Sequence, residues 1–83
     1  MNQTSEKEKL KWFGENLYNL RKDLKLTQEQ LAGLINVKQS TVSEIENGQS
    51  NAKLTTIWSL VHVLSERHNS PLNVAEKLFK GRL

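Results

Sequence analysis

The sequence predicts an all-α fold, five helices packed in one compact domain. Three observations carry that reading. Apolar residues recur at three- and four-residue spacing, helix-start chemistry precedes several of those stretches, and β-branched residues never alternate with polar ones over a useful length. At 83 residues there is room for a single core, 1–83, with residues 1–6 expected to be flexible. A chain this short buries only about 60–65% of its unfolded surface, so its stability is expected to be marginal or shared with a partner.

The first helix is predicted over about residues 6 to 24. Leu10, Phe13, Leu17, Leu20 and Leu24 fall on one stripe, and Ser5 with Glu8 reads as a capping box. Trp12 and Tyr18 lie off the stripe, at its edges. Thr27 and Gln30 form a second box, opening a short helix with Leu31, Leu34 and Ile35 on one face. Asn36 is placed to take a left-handed cap at its end. The third helix starts at Gln39 and closes before Gly48, with Val42 and Ile45 inward and Val37 packing from the turn. Its other face presents Gln39, Ser40, Ser43, Glu44 and Asn47.

Residues 53 to 64 read as a fourth helix, apolar on two sides. Leu54, Ile57, Val61 and Leu64 make the stripe expected to face the core, and Trp58, Leu60 and Val63 make the other. Residues 53–83 are expected to complete the core and to dimerise, through Trp58, Leu60, Val63, Leu72 and Phe79. In the last stretch, Ser70–Pro71 resembles a cap and first-turn proline, with Leu72, Ala75, Leu78 and Phe79 at helical spacing. Leu72 and Val74 also alternate with polar residues, so a short strand over 71–80 stays open.

Composition narrows the function. The absence of cysteine excludes disulfides, thiolate catalysis and cysteine-ligated zinc. The longest apolar stretch, Ile57 to Leu64, is broken by Ser59 and His62, too short for a membrane span of about 20 residues. The polar, mixed-charge start does not read as a signal peptide, and a cytoplasmic setting is expected. Net charge is +3, unevenly spread. Residues 1–26 hold six basic and four acidic side chains, 27–50 one and three, and 51–83 five and two. No serine has a base arranged with it and no glycine-rich phosphate loop is present, so neither enzyme activity nor a cofactor is expected. His62 and Glu66 are four apart with His68 nearby, but packing and solvent exposure account for them better than a metal does.

Two short helices joined by a tight turn, the second with a small polar outer face, meet the requirement for reading a DNA major groove about 12 Å wide. A generic helical hairpin explains the periodicity equally well. The residues themselves favour the first. Leu26-Thr27-Gln28-Glu29-Gln30-Leu31-Ala32, followed by Val37 through Gly48, closely resembles the lambda-repressor-like helix-turn-helix family of Cro and Xre type, with the motif at 27–48.

That resemblance implies roles position by position. Lys38, Gln39, Ser40, Ser43 and Glu44 match positions that face bases or the adjacent backbone, where Gln39 can pair with adenine and Glu44 can accept from cytosine. Gln28 and Asn47 resemble phosphate contacts, and Lys53 is expected to add another. Arg21 and Glu46 match a structural ion pair, and Ala32 is the small residue where the motif helices approach. Lys38 stands where relatives usually have a Ser or Thr cap, and Asn36 where many have glycine.

The implied function is a dimeric repressor binding a palindromic operator in double-stranded DNA, its own promoter included, with reading helices about 34 Å apart. Such domains serve as phage-type repressors, restriction–modification controllers and antitoxins. Leu54-Thr55-Thr56-Ile57-Trp58 is similar to the same region of HipB-type antitoxins, whose partner is a HipA-like kinase toxin, and the antitoxin role is preferred on that ground. The alternative of another class is a protein-interaction module, which Glu29, Glu44 and Glu46 favour slightly.

Overall fold

The computed structural model describes residues 5–68 and 71–81, and their side chains except those of 71 and 72. Among the described residues five α-helices follow in order: α1 Glu6–Asp23, α2 Gln28–Ile35, α3 Gln39–Glu46, α4 Leu54–His68 and α5 Pro71–Phe79. Both capping boxes form. Ser5 Oγ accepts from the Glu8 N–H at 3.1 Å and Thr27 Oγ1 from that of Gln30 at 3.0 Å. The expected flexibility of residues 1–6 and the Ser70 cap fall wholly or mostly outside the described residues.

α1 packs on α3 and α5, α2 on α3 and α4, and α4 on α5. The core between them is Leu17, Leu20, Leu31, Val42, Ile45, Leu60, Leu64, Val74 and Leu78, each at most 2% exposed. Phe13, Leu24 and Val37 pack against it, as their spacing predicts. The 71–80 stretch is helical to Phe79, which removes the strand alternative. Val74 and Leu78, four residues apart, are both completely buried, an arrangement a strand would place no better than its helix does.

Three sequence expectations are corrected. Leu60, assigned to a dimer surface, is 0% exposed and belongs to the core. Leu54, assigned to the inner stripe, is 76% exposed. α4 is apolar on two sides, so its pattern does not choose a face; packing against α2 and α5 selects Leu60 and Leu64. Leu34 is 41% exposed, because α2 turns Leu31, Ala32 and Ile35 inward instead. Leu72, also named for the dimer surface, lies outside the described side chains.

α1 and α3 approach closely at Gly14. A Cβ there would abut the carbonyl oxygen of Ile45 and sit 2.6 Å from that of Glu46. Gly48, at φ 70°, ends the α3 region in the left-handed conformation, where a Cβ would stand 3.0 Å from Lys11 Cα. α3 is therefore seated directly on the α1 backbone. Among the described residues no helix is long and apolar enough to cross a membrane.

Candidate nucleic-acid interface

The turn between α2 and α3 is set by Asn36, left-handed at φ 59° and ψ 49°. The Val37 N–H donates to the Ala32 carbonyl at 3.0 Å, closing α2 in a Schellman-type stop. Lys38 then takes an extended conformation at the N-cap of α3. Its carbonyl accepts from the Thr41 and Val42 N–H groups at 3.0 and 3.4 Å, but its side chain makes no cap bond. The departure from a Ser or Thr cap thus leaves the geometry intact and the Lys38 side chain exposed.

With Val42 and Ile45 turned into the core, the other face of α3 is open. Gln39, Ser40, Glu44 and Asn47 are exposed and Ser43 half-buried. Asn47 Nδ2 donates to Ser43 Oγ at 3.5 Å, a weak bond along the same face. Lys53 lies at the entrance to α4, its carbonyl accepting from the Ile57 N–H at 3.0 Å, with its side chain in solvent.

Behind this face stands a connected polar network. Arg21 Nε and Nη2 donate to the two carboxylate oxygens of Glu46 at 2.6 and 3.0 Å, a forked pair whose side chains are 7% and 3% exposed. Arg21 Nη1 donates to the Leu26 carbonyl at 2.8 Å, tying the α1–α2 loop to the same guanidinium. The hydrogen bond that Arg21 donates to Glu46 raises the Arg21 pKa above its ordinary value, against the lowering effect of burial, so the guanidinium stays charged. Its carbon lies 5.3 Å from the centre of the Tyr18 ring, a cation–π contact that puts Tyr18 over the pair.

Gln28 extends the network outward. Its Nε2 donates to Glu46 Oε1 at 2.9 Å, and its Oε1 accepts from Gln39 Nε2 at 2.8 Å. A path of side chains therefore runs from the buried guanidinium of α1, through α3 and α2, to the first outward residue of the recognition helix. Gln39 keeps its carbonyl oxygen and one amide hydrogen, the two groups an adenine edge requires. The spacing of each helix says nothing of this link, because it joins three elements. Of the expected positions, Gln28, Gln39 and Glu46 are directly joined, and Ser40, Ser43, Glu44 and Asn47 share the α3 face.

Residues 17–68 match the helix-turn-helix family model. The chain belongs to the helix-turn-helix family of Cro and Xre type. It is a DNA-binding transcriptional regulator. No curated protein sequence matches it. Similar solved structures include two regulators. One is the restriction–modification controller protein C.AhdI from Aeromonas hydrophila, 35% identical, covering 78% of this chain and 94% of that one with a TM-score of 0.67. The other is the clp gene regulator ClgR from Corynebacterium glutamicum, 25% identical, covering 93% of this chain and 76% of that one with a TM-score of 0.69.

Proposed function

We propose that this regulator is a homodimer that binds a two-fold symmetric operator through α3 and represses its own promoter, in the role of a restriction–modification controller. The observation that carries the reading is the open α3 face, with Gln39 oriented by Gln28 and no core function on its outward side chains. The controller role is supported by the 35% identity to C.AhdI over 94% of that chain. Lys38, Gln39, Ser40, Ser43 and Glu44 face bases or nearby backbone in this reading, and Gln28, Asn47 and Lys53 face phosphates.

Dimerisation is supported by the outer side of α4. Trp58 is 75% exposed and stands between two hollows, about 540 Å³ bounded by Leu54, Ile57 and Val61, and about 400 Å³ bounded by Leu34, Ile35 and Val63. A knob flanked by hollows is a surface that a two-fold axis can set against a second copy of itself. The Trp58 and Val63 assignments sit on this patch. Phe79 sits elsewhere, against Phe13 at 5.3 Å between ring centres.

A second reading, an antitoxin with a kinase-type toxin partner, rests on the same Leu54 and Trp58 surface, which a protein partner would cover instead of a second copy. Site selection on randomised duplex DNA, with the mass of the purified protein in solution, tests the proposal. An enriched palindrome with half-sites one turn apart, bound by a dimer, is the expected result. A monomer that enriches no sequence at moderate salt overturns it and favours partner binding as the main role.

A further inference from the structure

An apolar cavity of about 490 Å³ opens between α1, the loop before α4 and the end of α5. Leu10, Trp12, Phe13, Ile57 and Phe79 supply its apolar wall, and Lys9 and Lys80 lie on its margin. Among the described residues lining it, none is acidic. Glu6, a turn earlier on α1, has a carboxylate oxygen engaged by the Asn51 side-chain amide at 3.3 Å. Both lysines are exposed, so their charge is free to meet an incoming anion.

The end of α5, which lines the cavity, is tied to α1. Asn16 Nδ2 donates to the carbonyls of Leu78 and Lys80 at 3.0 and 2.9 Å, fixing the end of α5 to α1. Leu78 is buried in the core, whereas Phe79 beside it leans on Phe13 and stays 59% exposed. Gly81 passes Trp12 without a side chain, and a Cβ there would come within 3.7 Å of the indole ring. The volume falls within the 300–1,000 Å³ common for small-molecule sites, which pair an apolar lining with a few placed polar groups.

We propose that this cavity binds an amphipathic organic anion, an alkyl or aryl body ending in one carboxylate, with the body against Trp12, Phe13 and Phe79 and the carboxylate between Lys9 and Lys80. Its lining includes none of Lys38, Gln39, Ser40, Ser43 and Glu44, the residues proposed to face bases.

Decanoate, titrated into the full chain and followed by amide and indole nuclear magnetic resonance, is the probe. A dissociation constant of about 1 mM is expected, within the bound that the size of the ligand sets. Saturable shifts are expected at the Trp12 indole, at residues 9–13, 50–52 and 78–81, and not at the Trp58 indole, which serves as the control on the other apolar surface. Decyltrimethylammonium, which has the same chain and the opposite head charge, should bind at least about fivefold more weakly, and the Lys9→Gln/Lys80→Gln variant should weaken decanoate by a similar factor without weakening the cation. Equal binding of the cation and decanoate overturns the proposal, as do shifts of the Trp58 indole matching those of Trp12, or no saturation at millimolar decanoate. Both lysines are exposed, so the variant is expected to fold.

Discussion

Gln39 on the recognition helix is held by Gln28 on the preceding helix, Nε2 to Oε1 at 2.8 Å, and Gln28 is itself held by Glu46. The side chain best suited to an adenine edge is thus oriented before any DNA arrives. Gln28→Ala should lower operator affinity about tenfold, roughly 1.4 kcal/mol, with the fold intact. Gln39→Ala should relax preference at one base pair by about 1–3 kcal/mol. The double variant should cost less than the sum of the two, because part of the effect of Gln28 is exerted through Gln39. Fluorescence anisotropy on a selected operator measures all three, and strict additivity would separate the residues.

The Arg21–Glu46 pair should behave as a buried pair. Arg21→Met alone strands a carboxylate that is almost completely enclosed and should cost about 3–5 kcal/mol. Arg21→Met with Glu46→Leu should recover much of that loss in urea unfolding. Raised above its unfolded value by Glu46, the Arg21 pKa contributes stability that is complete below the unfolded value and is lost only as pH rises through the folded one. Titration of Arg21 should therefore leave unfolding free energy flat from about pH 5 to 9.

Two glycines give opposite expectations. Gly14→Ala forces α1 away from backbone carbonyls of α3, which cannot rotate aside, and should destabilise by about 3 kcal/mol or more. Gly33→Ala in α2 meets nothing within 4 Å and should stabilise by about 0.5–1 kcal/mol. Thermal melts of the two variants check the contrast; a mild Gly14→Ala would mean that the α1–α3 approach is looser than described.

The reassignment of Leu60 also has a test. Leu60→Ala should lower stability by about 2–5 kcal/mol without a specific change in association. Trp58→Arg should yield a folded monomer with weakened operator binding, if the Trp58 patch is the two-fold interface. Analytical ultracentrifugation distinguishes them, and a dimer surviving Trp58→Arg would place the interface on another face.

Much of this was legible in the residues. α1, α2 and α3 announce themselves through Ser5–Glu8, Thr27–Gln30 and Asn36, because capping and left-handed turns are local chemistry. The face of α4 was not legible: with Leu54, Ile57, Trp58, Leu60 and Val61 all apolar, only packing on α2 and α5 decides that Leu60 goes in and Leu54 stays out. Arg21–Glu46 came from family resemblance, and the structure adds what holds its outer end, the Gln28 bridge to Gln39. That bridge and the cavity beside Trp12 arise where separate helices meet, and no periodicity within one helix encodes them.

The seating of α3 on Gly14 and Gly48 separates two kinds of inheritance. Its inner side is committed to α1 and the core, while Ser40, Ser43 and Glu44 face away from both. Those outward positions can change without disturbing the packing that folds the chain. A lineage built on this scaffold is free to drift from one target sequence to another in single steps, each intermediate still a stable protein, while Gly14, Arg21 and Glu46 stay fixed.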